Sequence, residues 1–112
     1  MALFVFAVPI PEGKADTLRE AAKEFSGPRR QDFQGHVGRI GLRQQEWWVT
    51  PQGDRLIVVS EGDMPDQMMQ KFAASSHPFD DEWKKFIKDT LDINIDEPPP
   101  GPMTEQLGSW EA

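Results

Sequence analysis

Two adjacent tryptophans, Trp47 and Trp48, lie in a stretch whose composition and alternation predict a long β-strand over residues 37–50. Neighbouring side chains on a strand point to opposite faces of the sheet, so one indole should meet the helices and the other the far face. The predicted partner strand, residues 55–62, begins with a run that is apolar on both faces as well. Because a chain of 112 residues provides helices for one face only, the pair predicts a second subunit on the far face.

The alternation along the first of these strands changes phase partway. Ile40 shares one face with Trp48, whereas Arg39 and Arg43 share the other face with Trp47. Such a change predicts one of two things. Either the strand contains a β-bulge, or its second half is covered on both faces.

Hydrophobic periodicity and turn residues predict the remaining elements. The order strand–helix–strand–strand–helix–strand predicts one α+β domain over residues 1–96, followed by a Pro-rich acidic tail over residues 97–112. In chain order, the additional elements are a buried strand at 3–8, an amphipathic helix at 15–25, a short helix or loop at 29–36, a second helical region from 63 that breaks near 75–78, and a short edge strand at 92–96.

The charge composition argues against several partners. The net charge is −7, which disfavours nucleic-acid binding because that requires a concentrated basic face. All six arginines nevertheless lie in the first half of the chain, a distribution that suits recognition of a carboxylate or a charged subunit contact. The sequence has no cysteine, which suits a reducing compartment, and we expect a cytoplasmic protein. The apolar N-terminus is too short to span a membrane and has no basic segment before it, so we expect no membrane partner.

With this element order, the chain resembles the dimeric α+β barrel superfamily, which has a ferredoxin-like fold. The residues that carry the resemblance are the strand at 3–8, the Pro-Glu-Gly-Lys turn at 11–14 and the Trp-containing hairpin. The Pro-Phe-Asp segment at 78–80, followed by Trp83, makes the chain similar to an uncharacterised bacterial branch. The resemblance implies a homodimer packed sheet against sheet, with an apolar cavity on the concave face. Members of the superfamily include cofactor-independent monooxygenases, isomerases, dehydratases, haem-binding enzymes and stress proteins.

His36 and His77 are the two histidines and hence the side chains best suited to proton transfer near neutral pH. His77 is the preferred catalytic candidate because it lies in a helix break, with Asp80 or Asp81 near enough in sequence to orient its ring. The alternative is that each histidine satisfies backbone groups in a loop. Consecutive acids at 80–82 are favoured at a helix start by the helix dipole, so they do not by themselves indicate a metal site. We expect neither a metal nor a cofactor.

The predicted binding residues lie on the tryptophan strand. Trp47 or Trp48 facing a cavity would stack on a planar ligand, and Arg39 and Arg43 would form a wall that holds an anion. The alternatives are that the tryptophans are core residues and that the arginines form an exposed charged edge.

Two functions remain open from the sequence. One is a homodimer that binds a small planar organic ligand or a partner, with the C-terminal tail acting as an arm. The other is a cofactor-independent monooxygenase, isomerase or dehydratase that acts through an enolate-like anion.

Overall fold

A three-stranded antiparallel sheet carries four helices on one face in the computed structural model, which describes residues 2–97 and 104–112. The strands follow the order β1-β3-β2, so the last strand along the chain is central. In chain order the elements are β1 (Ala2–Pro9), α1 (Ala15–Ser26), α2 (Arg30–Arg39), β2 (Leu42–Val49), β3 (Arg55–Gly62), α3 (Met68–Ala74), which follows a 3₁₀ turn, and α4 (Pro78–Leu91).

The prediction of a strand from residue 37 is wrong, because residues 37–39 form the last turn of α2. Gly41 ends this helix. It adopts a φ of +83° and donates its N–H to the carbonyl of Gly38 at 3.0 Å, a backbone conformation that favours glycine. The sequence predicted that Arg39 lies on the same strand as Trp47. In the structure it is instead the last residue of α2.

A β-bulge explains the change of phase in the tryptophan strand. The register with β3 shifts between Leu42 and Gln44, so Arg43 is the extra residue. Beyond the bulge the two tryptophans alternate as expected. Trp47 packs against the helices, whereas Trp48 points to the far face and is 59% exposed. The bulge, which the sequence left as one of two alternatives, is thereby confirmed.

The predicted fourth strand at 92–96 is not formed within the described residues, so the structure matches a ferredoxin-like βαββαβ arrangement only in part. Asp92 ends α4 with a positive φ of 57°, and the chain then turns. Ile93 and Ile95 nevertheless pack against the hydrophobic core, which accounts for the apolar positions of this segment. Residues 98–103 of the predicted tail lie outside the described residues. Residues 104–112 have no regular secondary structure, and the Thr104 hydroxyl donates to the carbonyl of Val5.

The core lies between the sheet and the helices. β3 contributes Leu56 and Val58, while α4 contributes Trp83 and Ile87, each of them buried. On the opposite face of the sheet, Leu3, Val5 and Trp48 are exposed among the described residues. No helix in the described part of the chain combines the length and apolar character that a membrane crossing requires.

Candidate functional site

A groove of about 650 Å³ opens to the surface between α2 and β2. Its position follows from the fold, because α2 returns the chain into β2 through the tight turn at Gly41, so that the two elements lie side by side. The groove is lined by aromatic rings and by two arginines. These are Phe25, Phe33, Trp47, Arg30 and Arg43.

The aromatic wall of the groove is held by ring contacts on several sides. Phe33 meets Trp47 edge to face at 5.4 Å between centroids and stacks on Phe25 at 5.0 Å. Trp47 is backed by Trp83, whose ring stacks on it at 5.3 Å with planes 5° apart. Such contacts fix the orientation of the rings. The groove therefore presents a preformed apolar surface.

The two arginines of the groove differ in how far their charge is compensated. Arg43, at the bulge, forms an ion pair with Asp63. Within residues 2–97 and 104–112, no carboxylate lies within ion-pair distance of Arg30. Arg30 begins α2 and Arg43 lies near the start of β2. Because one element leads directly into the other, these two positions mark opposite ends of the groove.

A second, smaller cavity of about 80 Å³ lies inside the core, between the helices and the inner face of the sheet. Its lining is almost entirely apolar and includes Met68 and Phe72, with His36 and Gln45 as polar exceptions. Trp47 and Gln45 line both the cavity and the groove, so these two side chains stand between them. The indole N–H of Trp47 donates to the Gln45 side-chain oxygen at 3.0 Å.

A buried hydrogen-bond network adjoins the inner cavity. His36 is 1% exposed and Asp80 is fully buried. The His36 Nδ1 lies 2.9 Å from one oxygen of the Asp80 carboxylate. Arg39 donates to both oxygens of that carboxylate, from Nη2 at 2.7 Å and from Nε at 3.0 Å. The Ser75 hydroxyl donates to it as well. The network ties α2 to the first turn of α4.

The protonation states of this network follow from its hydrogen bonds. Burial alone raises the pKa of Asp80, but the hydrogen bonds from Arg39, Ser75 and His36 outweigh it and hold the pKa well below the usual range. Burial lowers the pKa of His36 below 6.5, against the opposing effect of Asp80. The histidine is therefore neutral at pH 7. Because an ionised carboxylate only accepts hydrogen bonds, Nδ1 carries the proton and Nε2 is unprotonated.

The structure distributes the residues predicted for the site over three places. Trp47 and Arg43 line the groove, whereas Trp48 lies on the far face of the sheet. His36, Arg39 and Asp80 meet in the buried network. His77 is exposed and caps α4, with its Nδ1 accepting the N–H of Phe79 at 3.1 Å. The sequence suggested that Asp80 orients His77. In the structure Asp80 orients His36. The catalytic and binding roles themselves stay predictions.

Several residues of the groove and the network were missed by sequence reasoning. These are Arg30, Phe33 and Gln45. The available signal was the spacing of His36 and Arg39, because residues three apart on a helix share a face and both can reach one carboxylate. That signal depends on assigning residues 30–39 to a helix.

Among the described residues, no cluster of three or more histidine, aspartate or glutamate side chains is arranged to hold a metal ion.

The sequence matches no protein-family model. Searches of curated proteins and of solved structures likewise gave no significant match.

Proposed function

We propose that this protein binds a planar organic acid in the groove between α2 and β2. The observation that carries the proposal is the combination, in a single groove, of an aromatic wall with Arg30, an arginine that has no ion-pair partner within the described residues. The groove volume of about 650 Å³ falls within the range of roughly 300–1,000 Å³ that is typical of small-molecule sites.

The chemistry of the groove favours an elongated ligand with its charge at one end. Phe33 and Trp47 offer ring surfaces on which a flat molecule stacks. The guanidinium of Arg30 offers paired N–H donors to a carboxylate. Arg43 is already paired with Asp63, so we place the carboxylate at the Arg30 end. The net charge of −7 repels anions in general, so an anion that does not also stack on the rings should bind weakly. The site is therefore selective for an anion that stacks.

The substitution Arg30→Gln tests this site. We expect 2-naphthoate to bind the variant about tenfold more weakly, a loss of about 1.4 kcal/mol, because the charge-assisted hydrogen bonds from the guanidinium are removed at a solvent-exposed position. Isothermal titration calorimetry at constant ionic strength measures the change. Arg19→Gln is the matched control, since Arg19 lies on α1 outside the groove and pairs with Asp16.

The neutral analogue 2-naphthamide separates the two parts of the proposal. It should bind the wild type more weakly than 2-naphthoate does, and its affinity should be the same in wild type and Arg30→Gln. Equal affinity of 2-naphthoate for the wild type and both arginine variants would contradict the assignment of Arg30. No binding of either compound would contradict the groove as a ligand site.

We also propose that the protein is a homodimer of the dimeric α+β barrel type, with two sheets packed face to face. The far face supports this proposal because its exposed apolar residues, Leu3 and Val5 on β1 and Trp48 on β2, are linked across the sheet by Ile57 and Val59 of β3. Arg55 lies at one end of this face, and Glu61 lies at the other. A twofold axis that crosses the strands would bring these opposite charges together between subunits.

A charge placed on the apolar part of that face should separate the subunits. We expect the wild type to sediment as a dimer and Trp48→Glu to sediment as a monomer, because the variant buries an unpaired carboxylate in the interface. Analytical ultracentrifugation at micromolar concentrations measures the mass, and circular dichroism checks the fold. A wild type that remains a monomer up to 100-fold higher concentration would refute the dimer.

A further inference from the structure

We infer that His36 is a general base that removes a proton from a carbon acid held in the groove. The inference rests on the ligand site proposed above and adds a reaction to it. It is carried by the place of the histidine, which joins the Asp80 carboxylate on one side and lines the inner cavity on the other.

The two ring nitrogens of His36 have different surroundings. Nδ1 faces Asp80, which fixes the ring orientation and the position of the proton. Within the described residues, the hydrogen bonds of the ring all use Nδ1. No fully buried polar side-chain atom in the same residues lacks a partner, so Nε2 borders open space. The ring lines the inner cavity, and we place the lone pair of Nε2 on that side of the ring.

Trp47 and Gln45 separate the inner cavity from the groove, so a ligand in the groove would enter the cavity past these two side chains. The amide nitrogen of Gln45 is held weakly, at 3.4 Å from the Ser60 hydroxyl and 4.0 Å from the Met68 sulfur. Both contacts are long, so the hydrogen bond that a rotation of Gln45 must break is the one that its side-chain oxygen accepts from the Trp47 indole at 3.0 Å. In the proposed reaction the ligand drives this rotation, which joins the two spaces and turns the amide N–H towards a ligand oxygen. The cavity volume of about 80 Å³ accepts a few heavy atoms, which suffices for the reacting end of a ligand.

The reaction needs no cofactor or second reactant. Nε2 of His36 takes a proton from the carbon next to a carbonyl, the C–H bond breaks, and its electron pair moves to the carbonyl oxygen as an enolate. The new imidazolium is stabilised by the Asp80 carboxylate, and the enolate oxygen accepts the Gln45 amide N–H. The imidazolium then returns a proton, either to the same carbon or to a conjugated one. The net result is hydrogen exchange or isomerisation.

The substrate class follows from the separate places of the two recognition points. The carboxylate belongs at Arg30, on the surface, whereas the enolisable carbonyl must enter behind Trp47. The two groups therefore stand at opposite ends of one flat molecule. An aromatic acid with a ketone para to the carboxylate has this form, and 4-acetylbenzoate is a simple example.

Deuterium incorporation tests the inference. 4-Acetylbenzoate is incubated with the protein in D₂O, and loss of the methyl-ketone proton signal is followed by NMR. We expect the wild type to accelerate exchange at least about tenfold over buffer, a modest share of the usual effect of general bases. Binding of the same compound is measured by calorimetry. Binding without acceleration would overturn the role of His36 and leave the ligand site standing. Absence of binding would overturn both.

Two histidine variants locate the base. His36→Asn keeps an N–H donor near the position of Nδ1 but has no base, so exchange should fall to the buffer rate while binding is retained. His77→Asn is the control, because His77 is exposed and asparagine is also a good helix cap. The His77→Asn variant should catalyse hydrogen exchange at the wild-type rate. The reverse pattern would overturn the inference and favour His77.

The pH profile of the wild type gives a readout that does not depend on the folding of a variant. The rate above buffer should rise as His36 loses its proton and level off, with its midpoint below 6.5. The charged groups around the ring are Asp80 on α4 and Arg39 on its own helix, while α3 contributes the apolar Phe72. A rate without a midpoint between pH 4 and 8 would overturn the inference.

Discussion

Asp80→Ala is expected to lower the free energy of unfolding at pH 7 by about 3–5 kcal/mol, a loss typical of a broken buried ion pair. The fully buried carboxylate receives hydrogen bonds from His36, Arg39 and Ser75. Its removal leaves the His36 Nδ1–H without an acceptor and Arg39 without its counter-charge. Urea denaturation followed by circular dichroism measures the loss.

The neighbouring residue provides a control for this substitution. Asp81 is exposed on the same helical turn and lies 3.8 Å from Lys84, a weak surface pair. Asp81→Ala should change the stability by less than about 0.5 kcal/mol. Equal effects of the two substitutions would contradict the role of the buried network.

Acid should weaken the same network in two steps. The folded-state pKa of His36 lies below 6.5 and that of Asp80 lies below 3.8, so the unfolded chain binds more protons than the folded one on acidification. The stabilisation that the network contributes is therefore fully present above pH 6.5. It is lost as the pH falls, first because His36 is protonated and then because Asp80 is protonated. The difference between wild type and Asp80→Ala should shrink below pH 3.8.

Trp83→Ala is expected to cost about 3–5 kcal/mol as well, because it opens a large cavity in the core. Trp83 is 6% exposed, and its ring contacts those of Phe25, Trp47 and Phe86 at centroid distances of 5.1, 5.3 and 4.9 Å. Loss of this support should also weaken binding of 2-naphthoate, since Trp47 is held in place by the stack. Thermal and urea denaturation measure the first effect, and calorimetry measures the second.

The matched control for Trp83→Ala is the same substitution at an exposed tryptophan. Trp110 is 87% exposed, so Trp110→Ala should change the unfolding free energy by less than about 0.5 kcal/mol. A loss below 1 kcal/mol for Trp83→Ala would show that the aromatic stack does not hold the core.

The α+β class and the opposite orientations of Trp47 and Trp48 could be predicted because they depend on local alternation, which the sequence displays directly. The start of β2 could not. Gly35 and Gly38 weaken the helical pattern of α2, and the apolar residues Val37 and Ile40 continue the strand pattern. The tertiary contacts of His36 in the core decide between helix and strand for this segment, and no local pattern reveals those contacts.

The candidate site was predicted less well than the fold, because its residues meet across elements. His36 and Asp80 are 44 positions apart, and nothing local distinguishes Asp80 from Asp81 except the helical face on which each lies. The sequence placed Asp80 beside His77, its neighbour along the chain. Helix geometry instead turns Asp80 inward towards α2 and leaves His77 outside as a cap.

The proposed ligand site is tested most directly by the indole N–H signals in a ¹H–¹⁵N NMR titration with 2-naphthoate. Trp47 lines the groove, whereas Trp48 and Trp110 lie outside it, so each reports on a different surface. Binding in the groove should shift the Trp47 signal progressively to saturation while the signals of Trp48 and Trp110 stay in place. A titration that shifts Trp48 or Trp110 and leaves Trp47 unchanged would contradict it.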